Sequence, residues 1–157
     1  MNDIKLMPYP KEAVIKEGKF RINRNFAIAV KGNPGLKVFK AAARFLRHLD
    51  NRTGLFFIMD SVIQENNPAE ADAVIEVDKP AEVKLGGDES YQLIINENKI
   101  LLSAPTDLGA MNGMQTLFQL LNSDEIGYYF PSVENNDAPR FPWRGLLIDV
   151  SRHFMPV

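Results

Sequence analysis

YQLIINENKILLSAPTDLGAMNGMQTLFQLL, residues 91–121, changes its hydrophobic period halfway along. Tyr91–Asn96 and Lys99–Ala104 flank the polar pair Glu97-Asn98, and two strands around such a short loop predict a β-hairpin. From Asp107 onward the apolar residues instead recur at every third or fourth position, which predicts a helix. A hairpin followed directly by a helix indicates a core built from both sheet and helix.

The predicted helix of this stretch begins at Thr106 or Asp107, either of which can cap a first helical turn, and ends at Leu121. Its apolar stripe consists of Leu108, Met111, Met114 or Gln115, Phe118 and Leu121. Gly109 and Gly113 each lower the intrinsic helix propensity by about 1 kcal/mol relative to alanine. Both glycines would let the helix lie close to the sheet. The apolar stripe at helical spacing predicts a core-facing helix rather than a cofactor site.

Upstream, a first helix is predicted from Leu36 to Arg52, and Gly54 is placed to end it. Its apolar residues recur at intervals of three and four, and they are Leu36, Phe39, Ala43, Leu46 and Leu49. Strands are predicted around it at Phe26–Val30, Leu55–Met59 and Ala73–Val77, and a further hairpin at Ala13–Lys16 and Lys19–Ile22 around Gly18.

These elements predict an α+β fold, a mostly antiparallel sheet with two helices packed on one face. Residues 1–121 would form this small domain. Residues 122–140 are polar and contain Pro131 and Pro139, which predicts a linker. Residues 141–157 include Gly145–Val150, a nearly continuous apolar run typical of a strand buried on both faces of a parallel sheet. A second domain is therefore predicted to start there.

The composition excludes several functional classes. The net charge of −2 comes without a basic block, which argues against a nucleic-acid partner. The chain has no cysteine, so it can form neither disulfides nor thiolate metal sites. No apolar run reaches the roughly 18–20 residues that a membrane-spanning helix needs. The N-terminus, MNDIKLMPYP, lacks the apolar core of a signal peptide.

The segment Arg144-Gly145-Leu146-Leu147-Ile148-Asp149-Val150-Ser151-Arg152-His153-Phe154 resembles the opening of the catalytic barrel in glycoside hydrolase family 20, the β-N-acetylhexosaminidases. Asp137–Trp143 resembles the entry to that strand. Gly109, Gly113–Leu117 and Leu120-Leu121 resemble the last helix of the small domain before the barrel, and Met7–Pro10 resembles the start of that domain. The spacing Arg-Gly-x-x-x-Asp-x-Ser-Arg-His is the most specific part of a resemblance that covers the whole chain.

The resemblance implies hydrolysis of terminal β-linked N-acetylglucosamine or N-acetylgalactosamine with retention, by a substrate-assisted route. A glutamate would act as general acid, the substrate's own 2-acetamido oxygen would attack, and an aspartate would orient it. No metal or organic cofactor is implied. The implied partners are the catalytic barrel of the same polypeptide and an amino-sugar glycan, in a periplasmic or secreted setting.

The resemblance implies a substrate-binding role for Arg152, whose guanidinium would hold two sugar hydroxyls at the end of the Gly145–Val150 strand. An ion pair with a structural role is the alternative. Asp149 lies near the same strand end and would hold Arg152 or line the pocket. We expect His153 to be a packing or hydrogen-bonding residue. Arg144, at the opposite end of the strand, is predicted to be structural.

Asp88-Glu89, preceded by Gly86-Gly87, has the letters of the family's catalytic pair but not its position. The family pair follows the Ser-Arg-His segment and closes a buried strand, whereas Asp88 precedes both. We therefore predict an exposed acidic turn. A (β/α)8 barrel takes about 250 residues, so the catalytic pair is expected outside this chain. The resemblance therefore implies a structural, inactive N-terminal fragment that is cut after the first barrel strand.

Two alternatives remain open at this point. The small domain could bind carbohydrate or protein by itself, with Tyr91, Tyr128, Tyr129 and Phe130 as a stacking surface. It could also be the equivalent domain of another glycosidase family, because similar small domains precede barrels elsewhere.

Overall fold

A computed structural model describes residues 5–58, 62–64 and 70–147, with backbone alone for Ile63 and Gln64. Strands β1 to β4 are Glu12–Arg21, Ile28–Gly32, Val62–Gln64 and Ala73–Lys79. Strands β5 to β8 are Tyr91–Ile95, Ile100–Thr106, Asn122–Asp124 and Gly127–Asp137. The helices are α1, Leu36–Thr53, between β2 and β3, and α2, Asp107–Gln119, between β6 and β7.

All eight strands belong to one sheet of order β1-β8-β5-β6-β4-β2-β3, with β7 also paired to β8. The pairs β1–β8, β8–β5, β5–β6 and β7–β8 are antiparallel. The pairs β6–β4, β4–β2 and β2–β3 are parallel. The α+β class is confirmed, and the sheet is mixed. Helix α1 supplies the crossover between the parallel neighbours β2 and β3.

Both helices pack on the same face of the sheet. Phe45 of α1 meets Phe118 of α2 edge to face, with ring centroids 6.2 Å apart. The side chains of α1 that are buried are Val38, Ala41, Ala42, Phe45, Leu46 and Leu49. The opposite face carries only a small apolar cluster of Ala29, Ala71 and Val74 within the described residues. One covered and one solvated face explain the alternation of buried and exposed residues in β5 and β6.

The glycines of α2 let the helix lie directly on the sheet, as the sequence predicts. A Cβ on Gly109 would stand 2.0 Å from the carbonyl oxygen of Ser90. A Cβ on Gly113 would stand 2.2 Å from Leu102 Cδ1. Thr106 caps the helix by accepting a hydrogen bond from the Gly109 amide at 3.3 Å, so the predicted start of the helix is confirmed as well.

The prediction of a linker over residues 122–140 is wrong for most of its length. Asn122–Asp124 is β7, and Gly127–Asp137 is the longest strand of the sheet, paired on one side with β1 and on the other with β5. Pro131, which suggested a linker, lies opposite Lys19 where the β1–β8 register shifts. A proline is tolerated there because an irregular site does not require its missing amide hydrogen.

Two upstream predictions also change, and the prediction of a terminal strand stays untested. The expected hairpin around Gly18 is one strand, β1, with Gly18 at φ +108° where the register shifts. Residues 55–58 form no strand, because the Phe57 amide bonds back to Asp50 Oδ1 at the end of α1. Met59 lies outside the described residues. Of the Gly145–Val150 strand, residues 145–147 are exposed and not in a strand, and residues 148–150 are outside the described part.

Candidate functional site

Asp88 lies in a turn, in the loop between β4 and β5. Gly86 has φ +74°, and the Gly87 amide donates to the Lys84 carbonyl at 3.2 Å. Asp88 Oδ1 accepts hydrogen bonds from the Ser90 hydroxyl at 2.6 Å and from the Ser90 amide at 2.9 Å. These bonds, the hydroxyl bond foremost, lower the pKa of the Asp88 carboxyl. The carboxylate therefore serves the local backbone of a turn.

Glu89, the other member of the pair, points to α2 and to the chain that leaves the sheet. Its Oε2 accepts hydrogen bonds from Arg144 NH2 at 2.5 Å and from Asn112 Nδ2 at 3.1 Å. The guanidinium holds the pKa of the Glu89 carboxyl below its ordinary value, with a smaller contribution from Asn112. A general acid needs a raised carboxyl pKa, so the environment of Glu89 opposes that role. We refer to Glu89, Asn112 and Arg144 as the exit cluster.

A second group of polar side chains, buried in part, lies next to the exit cluster. The Tyr91 hydroxyl lies 2.5 Å from Thr116 Oγ1 and donates to Asp137 Oδ2 at 3.0 Å. It also accepts from Asn135 Nδ2 at 3.3 Å. Burial raises the pKa of Tyr91 to about 12, so the phenol stays protonated. This tyrosine network joins β5, β8 and α2.

We call residues 138–147 the exit segment. An open groove of about 490 Å³ runs between α2, residues 7–9 and the exit segment. Thr116, Gln119 and Arg144 line it together with Tyr9 and Phe141. The exit segment presents apolar side chains to solvent: Phe141 is 70% exposed, Trp143 78%, Leu146 86% and Leu147 95%. Four large apolar side chains exposed within residues 141–147 make this segment a candidate interaction surface.

The described residues contain neither a metal-binding cluster nor a membrane-spanning helix. Within residues 5–58, 62–64 and 70–147, no three His, Asp or Glu side chains come close enough together to hold a metal ion. Neither of the two helices found there is long and apolar enough to cross a bilayer.

The predicted substrate-binding residues Arg152 and Asp149 lie outside the described residues, as does His153. Their roles stay predictions, and so does the absence of a catalytic pair. Arg144 belongs to the exit cluster, consistent with a structural role. Glu89 is less exposed than an acidic turn would be, because Arg144 and Asn112 cover it.

Two of the four rings proposed as a stacking surface for a separate binding module, Tyr91 and Phe130, lie in the core. Phe130 is fully buried and Tyr91 is 5% exposed. Tyr129 is covered by Lys19, whose Nζ lies 4.3 Å from the ring centroid, and by Arg21 at 5.1 Å. These rings contribute to the core and to one cation-covered surface, so they do not form a stacking platform.

Sequence reasoning missed the exit cluster and the tyrosine network. One signal was present: Asn112 and Thr116 are four residues apart on α2 and so lie on the same face of the helix. The two glycines Gly109 and Gly113 place that helix next to residues 89–91. Nothing in the sequence shows that Asp137 and Arg144 return to the same place.

Comparison with known proteins gives consistent results. A family model described as "Glycosyl hydrolase family 20, domain 2" matches residues 3–138. "Beta-hexosaminidase subunit A1" of Dictyostelium discoideum is 35% identical over 121 residues, which are 73% of this chain and 22% of the relative. Subunit A2 of the same organism is 29% identical over 157 residues, covering 98% of this chain and 28% of the relative.

Among solved structures, a chitobiase of Flavobacterium johnsoniae matches with a TM-score of 0.89 and 44% identity. The match covers 96% of this chain and 23% of the chitobiase chain. The chain therefore spans between 22% and 28% of the length of these relatives.

Proposed function

Because the chain belongs to glycosyl hydrolase family 20, we propose that it is the non-catalytic N-terminal domain of a β-N-acetylhexosaminidase. The observation that carries the proposal is the family match over residues 3–138, the part of the chain that forms the sheet, the helices and the start of the exit segment. The catalytic residues would then lie in polypeptide beyond this domain.

The role of the domain would be to support the catalytic barrel. Phe141, Trp143, Leu146 and Leu147 leave the sheet together and are exposed in this chain. Burial of such side chains stabilises by about 1.5–3 kcal/mol each, so a following domain gains by packing on them. The groove beside α2 offers polar side chains at the same place. Both features support a contact with polypeptide of the same enzyme that continues from the exit segment.

The whole enzyme would hydrolyse terminal β-linked N-acetylglucosamine or N-acetylgalactosamine, with the substrate's acetamido group as the nucleophile. Arg152, with Asp149 nearby, would bind hydroxyls of the terminal sugar. The relatives named above are hexosaminidases and a chitobiase, which supports this substrate class. A periplasmic or secreted location would bring the enzyme to such glycans.

The proposal is tested by assaying the 157-residue chain and the full-length protein with a chromogenic N-acetylglucosaminide. We expect turnover by the full-length protein alone. Arg152→Lys in the full-length protein should raise KM and lower kcat/KM, since a lysine cannot bind two hydroxyls with a fixed fork. Turnover by the 157-residue chain would overturn the proposal and make Asp88 and Glu89 the first residues to replace.

A further inference from the structure

The exit segment is attached to the folded domain by two arginines on either side of its aromatic residues. Arg140 donates from NH2 to the Tyr9 carbonyl at 3.0 Å. Arg144 donates from NH2 to Glu89 Oε2 at 2.5 Å and from NH1 to the Phe141 carbonyl at 2.6 Å. Phe141 and Trp143 lie between the two arginines in the sequence, and both are mostly exposed. The direction of the segment therefore depends on polar contacts and not on burial of its own apolar side chains.

Glu89 is well placed to fix that direction. It lies two residues before Tyr91, the first residue of β5, and its side chain is 21% exposed against 48% for Arg144. Asn112, in the middle of α2, donates to the same carboxylate oxygen at 3.1 Å. The helix itself cannot shift toward Glu89 because Gly109 already touches the Ser90 backbone. The carboxylate of Glu89 is therefore held in position by Asn112 and by the packing of α2 on the neighbouring backbone.

We propose that Glu89 is a positioning residue of the enzyme: held by Asn112, it fixes Arg144 and thereby sets the direction in which the chain leaves the sheet for the catalytic domain. The part that concerns the catalytic domain rests on the proposed function. The part that concerns Arg144 and the exit segment rests only on the described contacts.

The contact geometry requires an arginine at position 144. One guanidinium nitrogen turns the segment back on the Phe141 carbonyl while the other reaches Glu89. A lysine presents a single nitrogen and cannot keep both bonds in a fixed plane. A lone surface ion pair contributes little to stability, so the expected effect of losing it is on orientation more than on folding. When the ion pair is lost, Asn112 still holds Glu89, and Arg140 still bonds to Tyr9, so the rest of the domain should keep its structure.

Trp143 is the only tryptophan of the chain and is adjacent to Arg144, so it reports directly on the exit segment. The experiment is time-resolved fluorescence anisotropy of Trp143 in the 157-residue chain and its Glu89→Gln variant. We expect the amplitude of fast local motion to rise about two- to fivefold, the population change that an ion pair of this kind supports. The unfolding midpoint should stay close to that of the parent chain.

Glu82→Gln is the matched control, because Glu82 lies in the same loop, is exposed and undergoes the same change of charge. Its Trp143 anisotropy should equal that of the unmodified chain. Arg144→Lys should show an intermediate amplitude, and the exchange Glu89→Arg with Arg144→Glu should restore part of the restriction. Unchanged anisotropy in Glu89→Gln, or the same increase in Glu82→Gln, would overturn the role of Glu89.

The full-length protein provides a separate readout. Glu89→Gln should lower kcat/KM for the chromogenic glycoside about two- to fivefold at an unchanged unfolding midpoint, and Glu82→Gln should not. Unchanged kinetics in Glu89→Gln would refute its effect on the catalytic domain. A full-length protein that turns over no amino-sugar glycoside would refute the proposed function, while the anisotropy result would still decide whether Glu89 orients the exit segment.

Discussion

Tyr91 shows how a single side chain can join three elements of the domain. Its hydroxyl group contacts Asp137 of β8, Asn135 of the same strand and Thr116 of α2. Buried polar groups of this kind are satisfied only when every partner is in place. Asn135 keeps its Oδ1 without a hydrogen-bond partner among the described residues, so it is the incompletely satisfied member of the network.

The raised pKa of Tyr91 predicts a loss of stability in alkali. Burial raises this pKa to about 12, above the value of about 10 for an exposed tyrosine. Between those values the folded chain binds more protons than the unfolded chain, so its stability falls as pH rises. Between about pH 10 and about pH 12, we expect the titration of Tyr91 to lower the free energy of unfolding by roughly 2 kcal/mol.

Urea unfolding at several alkaline pH values checks this expectation, with Tyr91→Phe as the comparison. The variant should be less stable near neutral pH, by about 1–3 kcal/mol for the partners left unpaired. Its stability should fall less steeply than that of the parent chain above pH 10. Parallel decline of both proteins would show that Tyr91 titrates normally.

At the scale of elements, the packing of α2 on the sheet depends on two glycines, which have no side chain. Gly109 lies against the Ser90 carbonyl, and Gly113 lies against Leu102 and the ring of Tyr91. The low helix propensity of glycine is the cost of this close approach. The same approach brings Asn112 to Glu89 and Thr116 to Tyr91, so both polar groups follow from it.

Gly109→Ala should therefore destabilise the domain although alanine is the better helix former. The new Cβ would stand 2.0 Å from a backbone oxygen that cannot rotate away. We expect a loss of about 2–3 kcal/mol of unfolding free energy, after the propensity gain of about 1 kcal/mol.

Chemical unfolding measures this loss, with Gln115→Ala as the control because Gln115 is an exposed residue of the same helix. That control should change the free energy of unfolding by less than about 0.5 kcal/mol. A Gly109→Ala variant as stable as the control would mean that helix and sheet are farther apart than described.

At the scale of the whole molecule, the exit segment is the part of the described structure that buries its apolar side chains least. Leu146 and Leu147 are 86% and 95% exposed, and Trp143 is nearby. Exposed apolar side chains grouped in this way favour association with another surface. In the 157-residue chain without a partner domain, a second copy can serve as that surface.

Sedimentation velocity at increasing concentration should therefore show self-association of the 157-residue chain. Replacing Leu146 and Leu147 together by lysine should abolish it, since charge opposes burial. Ile126→Lys is the control, because Ile126 is 83% exposed but lies apart, in the turn between β7 and β8. Association that persists in the double variant would place the contact elsewhere, with the edge strand β1 next to be examined.

The sequence by itself determined the local elements and the class of the fold. The hairpin at 91–104, both helices, the Thr106 cap and the close approach at Gly109 follow from spacing within a few residues. Even there the buried side of α1 was only partly predicted. Leu36 is 68% exposed, while Val38 and Ala41, which lie outside the predicted stripe, are buried, so tertiary packing selects a different face at the start of the helix.

Only the tertiary structure decided which distant residues meet. Gly127–Asp137 resembles a linker until β1 and β5 provide partners for both of its edges, since a strand is stabilised by neighbours that its own sequence does not specify. Glu89 and Arg144 are 55 positions apart, and Tyr91 and Asp137 are 46 apart. Periodicity indicates which face of an element is buried, but the sheet order determines what that face contacts, and here it brings the exit cluster together.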